Sequence, residues 1–312
     1  MPLRTASAVT FFYALGYPIG TLAVAGMTPM AALVLRFSLA AAILGTWTHV
    51  SRARWPQGRQ LGHVLVTGLL MQAVQFCCLY EAVQRGAPAV LCAVLIAMNP
   101  VSTAILGALF LRERLTRWRV VALTLGIVAV LAACASRLMA THGVDAVIIL
   151  LVIALLGLSA GGVYQQRFCA AVDFRATSAL QNAVALVPAA VLAWLTPFAV
   201  HDATKATIAI AGIVLLNATL AVSLYVRAIN NHGAAAVAML FAIIPAVAAV
   251  LSWVMLGQRP DIGVAVGLAV GAVACWLNSR ASGSGQQRQD DPGRDRRGQH
   301  RVDAVHQPAV AR

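Results

Sequence analysis

Apolar runs of about twenty residues alternate with short polar breaks along almost the whole chain. The runs lie at about 6–24, 29–49, 61–82, 87–110, 118–137, 145–165, 176–198, 205–226, 233–256 and 260–279. A run of roughly 20 apolar residues crosses a bilayer as a helix. The breaks carry the turn and charged residues, as in Gly26-Met27-Thr28-Pro29, Arg52 to Gln60, Arg85-Gly86-Ala87-Pro88 and Gly257 to Asp261. The pattern predicts an all-α polytopic membrane protein of ten transmembrane helices.

The pattern also repeats. At an offset of 145 residues Leu79-Tyr80 falls on Leu224-Tyr225, Pro100 on Pro245 and Glu113-Arg114 on Gln258-Arg259. Upstream, Gly16 meets Gly161 and Leu35 meets Leu180. One register held from the first run to the last reads as an internal duplication. Residues 1–137 and 138–279 form the two copies. Each holds five spans, an odd number, so the second copy enters the membrane the other way up. Residues 280–312 are rich in Gln, Asp, Arg, Gly and Ser and are expected to form a disordered cytoplasmic tail.

Composition strengthens the membrane reading. The chain is 60% hydrophobic and 11% charged, with mean hydropathy +0.81, whereas a soluble domain has about a quarter of its residues charged. The net charge of +13 is spread over loops and tail, which fits membrane orientation and anionic headgroups and excludes nucleic acid as a partner. With a cytoplasmic N-terminus the inner loops hold ten arginines (52, 54, 59, 112, 114, 117, 119, 167, 175 and 227) and the outer loops four basic residues (Arg85, Arg137, Lys205 and Arg259). The bias places both termini inside, at the cytoplasmic membrane. Ala23-Val24-Ala25 has the form of a signal-peptide cleavage site; an uncleaved first helix is expected, since cleavage would remove the partner of span six. The six cysteines show no CxxC spacing and no histidine at ligand distance, so neither metal nor cofactor is expected.

Inverted repeats place a substrate site near the midplane, between the halves. The five-plus-five duplication, Arg36 early in span two, the prolines of spans four and nine, and Leu111-Arg112-Glu113-Arg114-Leu115 closing span four resemble the EamA-type branch of the drug/metabolite transporter superfamily. The similarity covers about residues 6–279. Two features depart from the pattern: Leu15-Gly16 stands where Trp-Gly is common, and Gln258 where the second repeat has glutamate. The resemblance implies a secondary carrier, an exporter or exchanger of small polar or amphipathic metabolites such as amino-acid-like compounds or drugs.

Polar residues inside the spans are the candidates for binding: Arg36, Gln72, Gln75, Asn99, Tyr164, Gln165, Gln181 and Asn217. Arg36 lies about seven residues into span two, roughly 10 Å deep. It either faces a central cavity and holds an anionic group, or snorkels to the headgroups. Gln72 and Gln75 share a helix face and bond either a neighbouring helix or a substrate. Tyr80 and Tyr225 read as an interfacial aromatic belt. Glu81 and Glu113 are the chain's two glutamates. Glu113 sits in an arginine cluster, and Glu81 is the candidate for proton coupling. Pro100 and Pro245 are expected to kink their helices and serve as gates. The glycine rows Gly157–Gly161 and Gly263–Gly267–Gly271 allow close helix approach, within one chain or in a homodimer.

Other classes fare less well. Gly157-Leu158-Ser159-Ala160-Gly161 matches GxSxG, but a hydrolase needs it on a strand–turn–helix, and the histidines at 49, 63, 142, 201 and 232 fall at span ends or loops. No P-loop is present, which excludes ATP-driven transport on this chain. A non-transporting receptor or structural membrane protein is the remaining alternative, and it differs from a carrier in having no convergence of polar groups at the midplane.

Overall fold

The computed structural model describes residues 3–111 and 146–258, with residues 121, 124, 125, 128, 262, 265, 266, 269, 270, 272 and 273 besides. Spans 118–137 and 260–279 as wholes, the Glu113 cluster, the glycine row from Gly263 and the tail lie outside the described residues. The regular elements are helices: α1 (Leu3–Gly26), α2 (Pro29–Val50), α3 (Arg59–Gln84), α4 (Ala89–Ile96), α5 (Asn99–Leu111), α6 (Ala146–Phe168), α7 (Phe174–Leu195), α8 (Ala203–His232), α9 (Ala234–Ala238) and α10 (Ile244–Leu256). Seven helical stretches, with Ala89–Phe110 counted as one, are long and apolar enough to span a bilayer. Their outward faces carry side chains such as Ile149, Ile153 and Leu156 on α6 and Val187, Val191 and Trp194 on α7. Rows of exposed apolar side chains on successive helices suit hydrocarbon, where every backbone group must be satisfied within its own helix. This is a multi-pass membrane protein.

Two features depart from plain α-helix, and each occurs twice at the repeat offset. The first is a break before each proline. α4 ends at Ile96 and α5 begins at Asn99 with Pro100 second; α10 begins at Ile244 with Pro245 second. Proline has no N–H to give and disfavours helical backbone in the residue before it. The chain answers both times with a tighter bond to the third residue back: Met98 N–H donates to Leu95 O at 3.1 Å, and Ile243 N–H to Leu240 O at 3.0 Å. Pro100 and Pro245 therefore start new helices, where kinks were expected. The ninth span is in pieces, α9, a 3₁₀ turn at Met239–Ala242, and α10. Pro18 and Pro188, by contrast, lie within continuous helices.

The second feature is a π-helical stretch, Leu69–Val74 in α3 and Ile213–Ala221 in α8. Gln72 and Asn217, which correspond at the offset, sit in these stretches. Each stretch is met by a glycine of the other half. A methyl group at Gly16 would run into the Asn217 amide, and one at Gly161 into Met71 and Leu70. The widened turns and the side-chain-free faces fit together.

Helices of the first half rest on helices of the second: α2 along α7, α3 against α6, α1 against α8 and α10. At one end the α1–α2 turn is tied to the α7–α8 loop. Met27 and Val200 form an antiparallel bridge, Thr28 N–H donates to Ala199 O at 3.0 Å, and Gly26 O accepts from His201 N–H at 2.8 Å. At the other end of α7, Trp47 packs on Phe174 (5.8 Å) and His63 stacks on Phe168 (4.7 Å). α1 thus finishes at one end of α7 and α6 at the other, so the two corresponding helices run in opposite directions.

Candidate functional site

Where α1, α2, α3 and α8 meet, their side chains enclose an aromatic, polar centre. On α1, Tyr13, Gly16 and Tyr17 fall on one face by i, i+3, i+4 spacing. On α3, Gln75, Phe76, Leu79 and Tyr80 follow directly after the π stretch and turn the same way. With Asn217 from α8 these residues line a cavity of about 10 Å³, room for roughly one water molecule. A second cavity of the same size continues past Gly20, Val83, Ala89 and Cys92. Gln75 Nε2 donates to the Tyr13 hydroxyl at 2.8 Å. Tyr13 also packs against Tyr17 (6.5 Å), Tyr225 (5.8 Å) and Phe241 (4.9 Å). Four of the chain's five tyrosines are gathered here.

Arg36 stands behind Phe76 and is wholly buried. Its Cζ lies 3.4 Å from the centre of the Phe76 ring and 5.4 Å from that of Phe37. The Tyr80 hydroxyl is close enough to interact but short of hydrogen-bond geometry. All three guanidinium nitrogens lack a hydrogen-bond partner among the described residues. The carboxylates of those residues are used elsewhere, Glu81 by Arg85 (2.8 Å), Asp173 by Arg175 (2.7 Å) and Asp202 by Lys205 (3.1 Å). A desolvated charge with no counter-ion costs several kcal/mol. A ring face beneath it returns about 2 kcal/mol or more when both are dry. Among the described residues the remainder is uncompensated.

The candidates divide into three groups. Arg36, Gln75 and Asn217 belong to the centre, and Gln72 is buried in the π stretch one turn away with its Oε1 unpartnered among the described residues. Asn99 sits at the α4–α5 break, where its Oδ1 accepts from Ser159 (2.8 Å) and Thr103 (3.1 Å). Ser159 of the GxSxG match is thus a helix-packing donor within α6. Tyr164, Gln165 and Gln181 lie near the α6–α7 loop and are used in bonds between helices. Gln181 Nε2 donates to Thr67 (2.9 Å) and to Gln165 Oε1 (3.1 Å), Gln165 Nε2 donates to Asn230 (2.9 Å), and Tyr164 bonds His63 (2.8 Å). These bonds tie α3, α6, α7 and α8 together, and none of them reaches the Arg36 cluster.

One expectation needs correction. Tyr80 and Tyr225 are not an interfacial belt, since they are 3% and 2% exposed within the core. Of the two alternatives for Arg36, the buried one holds, and the side chain does not snorkel. Glu81, the candidate for proton coupling, pairs with Arg85 one turn on, at a helix end. Sequence reasoning missed Tyr13, Tyr17 and Phe76. The signal was present in the i, i+4 pairs Tyr13–Tyr17 and Phe76–Tyr80, which set two aromatic faces in spans already known to carry Gly16 and Gln75.

The sequence matches the family model for the EamA-like transporter family twice, over residues 4–134 and 145–280. The chain belongs to the EamA-like transporter family, with two repeats of its unit. No curated protein matches the sequence. Among solved structures, one crystal structure is similar at 16% identity with a TM-score of 0.64, over 88% of this chain and 96% of the other; that likeness is one of fold.

Proposed function

We propose that this protein is a secondary carrier that exports or exchanges small polar or amphipathic metabolites, amino-acid-like compounds or drugs among them, by alternating access. In this reading residues 1–137 and 138–279 are two inverted five-helix repeats of a ten-helix protein in the cytoplasmic membrane, with both termini inside. The opposite directions of α1 and α6, the paired breaks at Pro100 and Pro245, and the distribution of arginines over the loops support it. Discontinuous helices around a centre shared by two repeats are the usual build of such carriers. Arg36, Gln75 and Asn217 contact the substrate, and the breaks at Pro100 and Pro245 act as hinges. Gln165, Gln181 and Tyr164 hold one end closed.

The observation that carries the reading is the buried guanidinium of Arg36, unpaired among the described residues, beside a tyrosine-lined cavity. Its test is transport in proteoliposomes of N-acetyl-L-leucine and N-acetyl-L-phenylalanine against their uncharged amides, with and without a pH gradient. A charge-assisted hydrogen bond is worth about 1.5–3 kcal/mol. Arg36→Gln should therefore slow the anions by about tenfold or more relative to the amides. Equal loss for both sets would remove Arg36 from substrate recognition.

A further inference from the structure

We infer that Phe76 is a positioning residue that substitutes for the substrate's negative charge when the carrier is empty, and so allows net transport as well as exchange. The inference rests on the carrier reading and adds the residue that lets the unloaded protein close. In the structure the centre has little free volume. Arg36 is wholly buried, and the adjoining cavity holds roughly one water molecule.

Closure around a bare guanidinium is opposed by desolvation, because charge in a dry centre needs compensation. The described carboxylates are occupied at helix ends, and the nitrogens of Arg36 have no hydrogen-bond partner among the described residues. What meets the charge is the Phe76 ring, 3.4 Å from Cζ. A planar guanidinium reaches that separation only by lying nearly flat on the ring. Its N–H donors then point sideways, in the plane where a carboxylate binds. The ring occupies the face and leaves the edge free. A bound anion and Phe76 therefore do not compete.

The two states depend on Phe76 unequally. With an anion bound, the carboxylate neutralises Arg36 and the ring adds little. With the site empty, the compensation comes from the ring and from the nearby Tyr80 and Tyr13 hydroxyls. Removing the π face penalises the empty closed state most. An exchanger needs only loaded closures, whereas net transport requires the empty protein to close and return. Loss of the ring should turn the carrier into an exchanger.

The test uses full-length protein in liposomes with N-acetyl-L-leucine, N-acetyl-L-phenylalanine and L-glutamate as labelled probes. Net efflux into probe-free buffer is compared with exchange against the same probe outside. Phe76→Leu and Phe76→Met should lower net efflux by about tenfold while exchange stays within about threefold, and Phe76→Tyr should preserve both, since it keeps a π face. Parallel loss of the two fluxes, or loss of neither, overturns the inference. If the native protein moves none of the probes, the carrier reading is what fails for them, and a second measurement still decides the role of Phe76. Leu79 lines both cavities, so Leu79→Cys in a protein whose other cysteines are alanine reports opening through its reaction with N-ethylmaleimide. Phe76→Leu should speed that reaction several-fold in substrate-free protein; an unchanged rate overturns the inference.

Discussion

A tyrosine can pack through its ring and bond through its hydroxyl, and this double character explains what was and was not legible at the residue scale. Sequence reasoning set Tyr80 and Tyr225 at the membrane surface because a ring with one polar atom suits an interface. The same features suit a buried centre whose polar atoms are few, and only the packing of α1 against α3 and α8 decides between the two. Arg36 was legible as an anomaly, since a guanidinium inside an apolar run demands an explanation. Its neighbour Phe76 was not, because one more phenylalanine in an apolar span carries no signal. Asp173 caps α7, accepting from Arg175 through its backbone N–H (2.9 Å) and its guanidinium (2.7 Å). The Arg175 side-chain bond above all holds the Asp173 carboxyl below its ordinary range, against a smaller opposing effect of partial burial. A carboxyl lowered by folding stabilises the fold above its unfolded pKa near 4 and loses that contribution as pH falls through the lowered value. Asp173→Ala should cost about 0.5–1 kcal/mol at neutral pH, a figure reduced for solvent screening. In thermal melts of the detergent-solubilised protein, the gap in Tm between native and variant should close as the pH is taken below about 4.

At the scale of elements, the apolar runs marked where the described helices lie to within several residues, and composition misjudged how they are wound. Proline within an apolar run reads as a kink because the run continues on both sides. Here the bond to the third residue back ends one helix and starts another. Nothing in the residues Leu69–Val74 or Ile213–Ala221 announces a π stretch, because a widened turn arises from what packs against it. Glycine is the visible half of that arrangement. A Cβ at Gly157 would come within 2.8 Å of Leu70 O and 3.0 Å of Val74 Cγ1, in or beside the α3 π stretch. Gly157→Ala should force α6 off α3 and lower stability by about 1–3 kcal/mol, as overpacking does. Gly45 has nothing within 4 Å of the same position. Gly45→Ala should leave stability unchanged or raise it by up to about 1 kcal/mol through helix propensity. Thermal unfolding of the two variants side by side checks the contrast; similar losses would mean that the glycines matter for backbone freedom and not for contact.

For the whole molecule, the duplication was the most legible property, since one offset of 145 residues aligns landmarks spread along the chain. It left the contacts between the two halves open. One of these is the tie between Met27 and Val200, which joins the α1–α2 turn to the α7–α8 loop. Facing residues of an antiparallel bridge are close enough for a disulfide. Under alternating access the ends of such a molecule separate in turn. Met27→Cys with Val200→Cys should therefore arrest transport when oxidised and recover it on reduction. Undiminished flux through the cross-linked protein would mean that this end does not open. The Gln165–Gln181–Thr67 network at the other end of α7 was read from sequence as part of the binding site, because an amide in lipid needs a partner and sequence does not say which.

The matched π stretches also bear on history. Gln72 and Asn217 stand at the same register of corresponding helices, and each stretch is seated by a glycine of the opposite half. One duplication that copied helix and glycine together accounts for that match without coincidence. Because glycine and widened turn meet across the two halves and not within one, a half-length chain could make this joint only by pairing with an inverted second copy of itself.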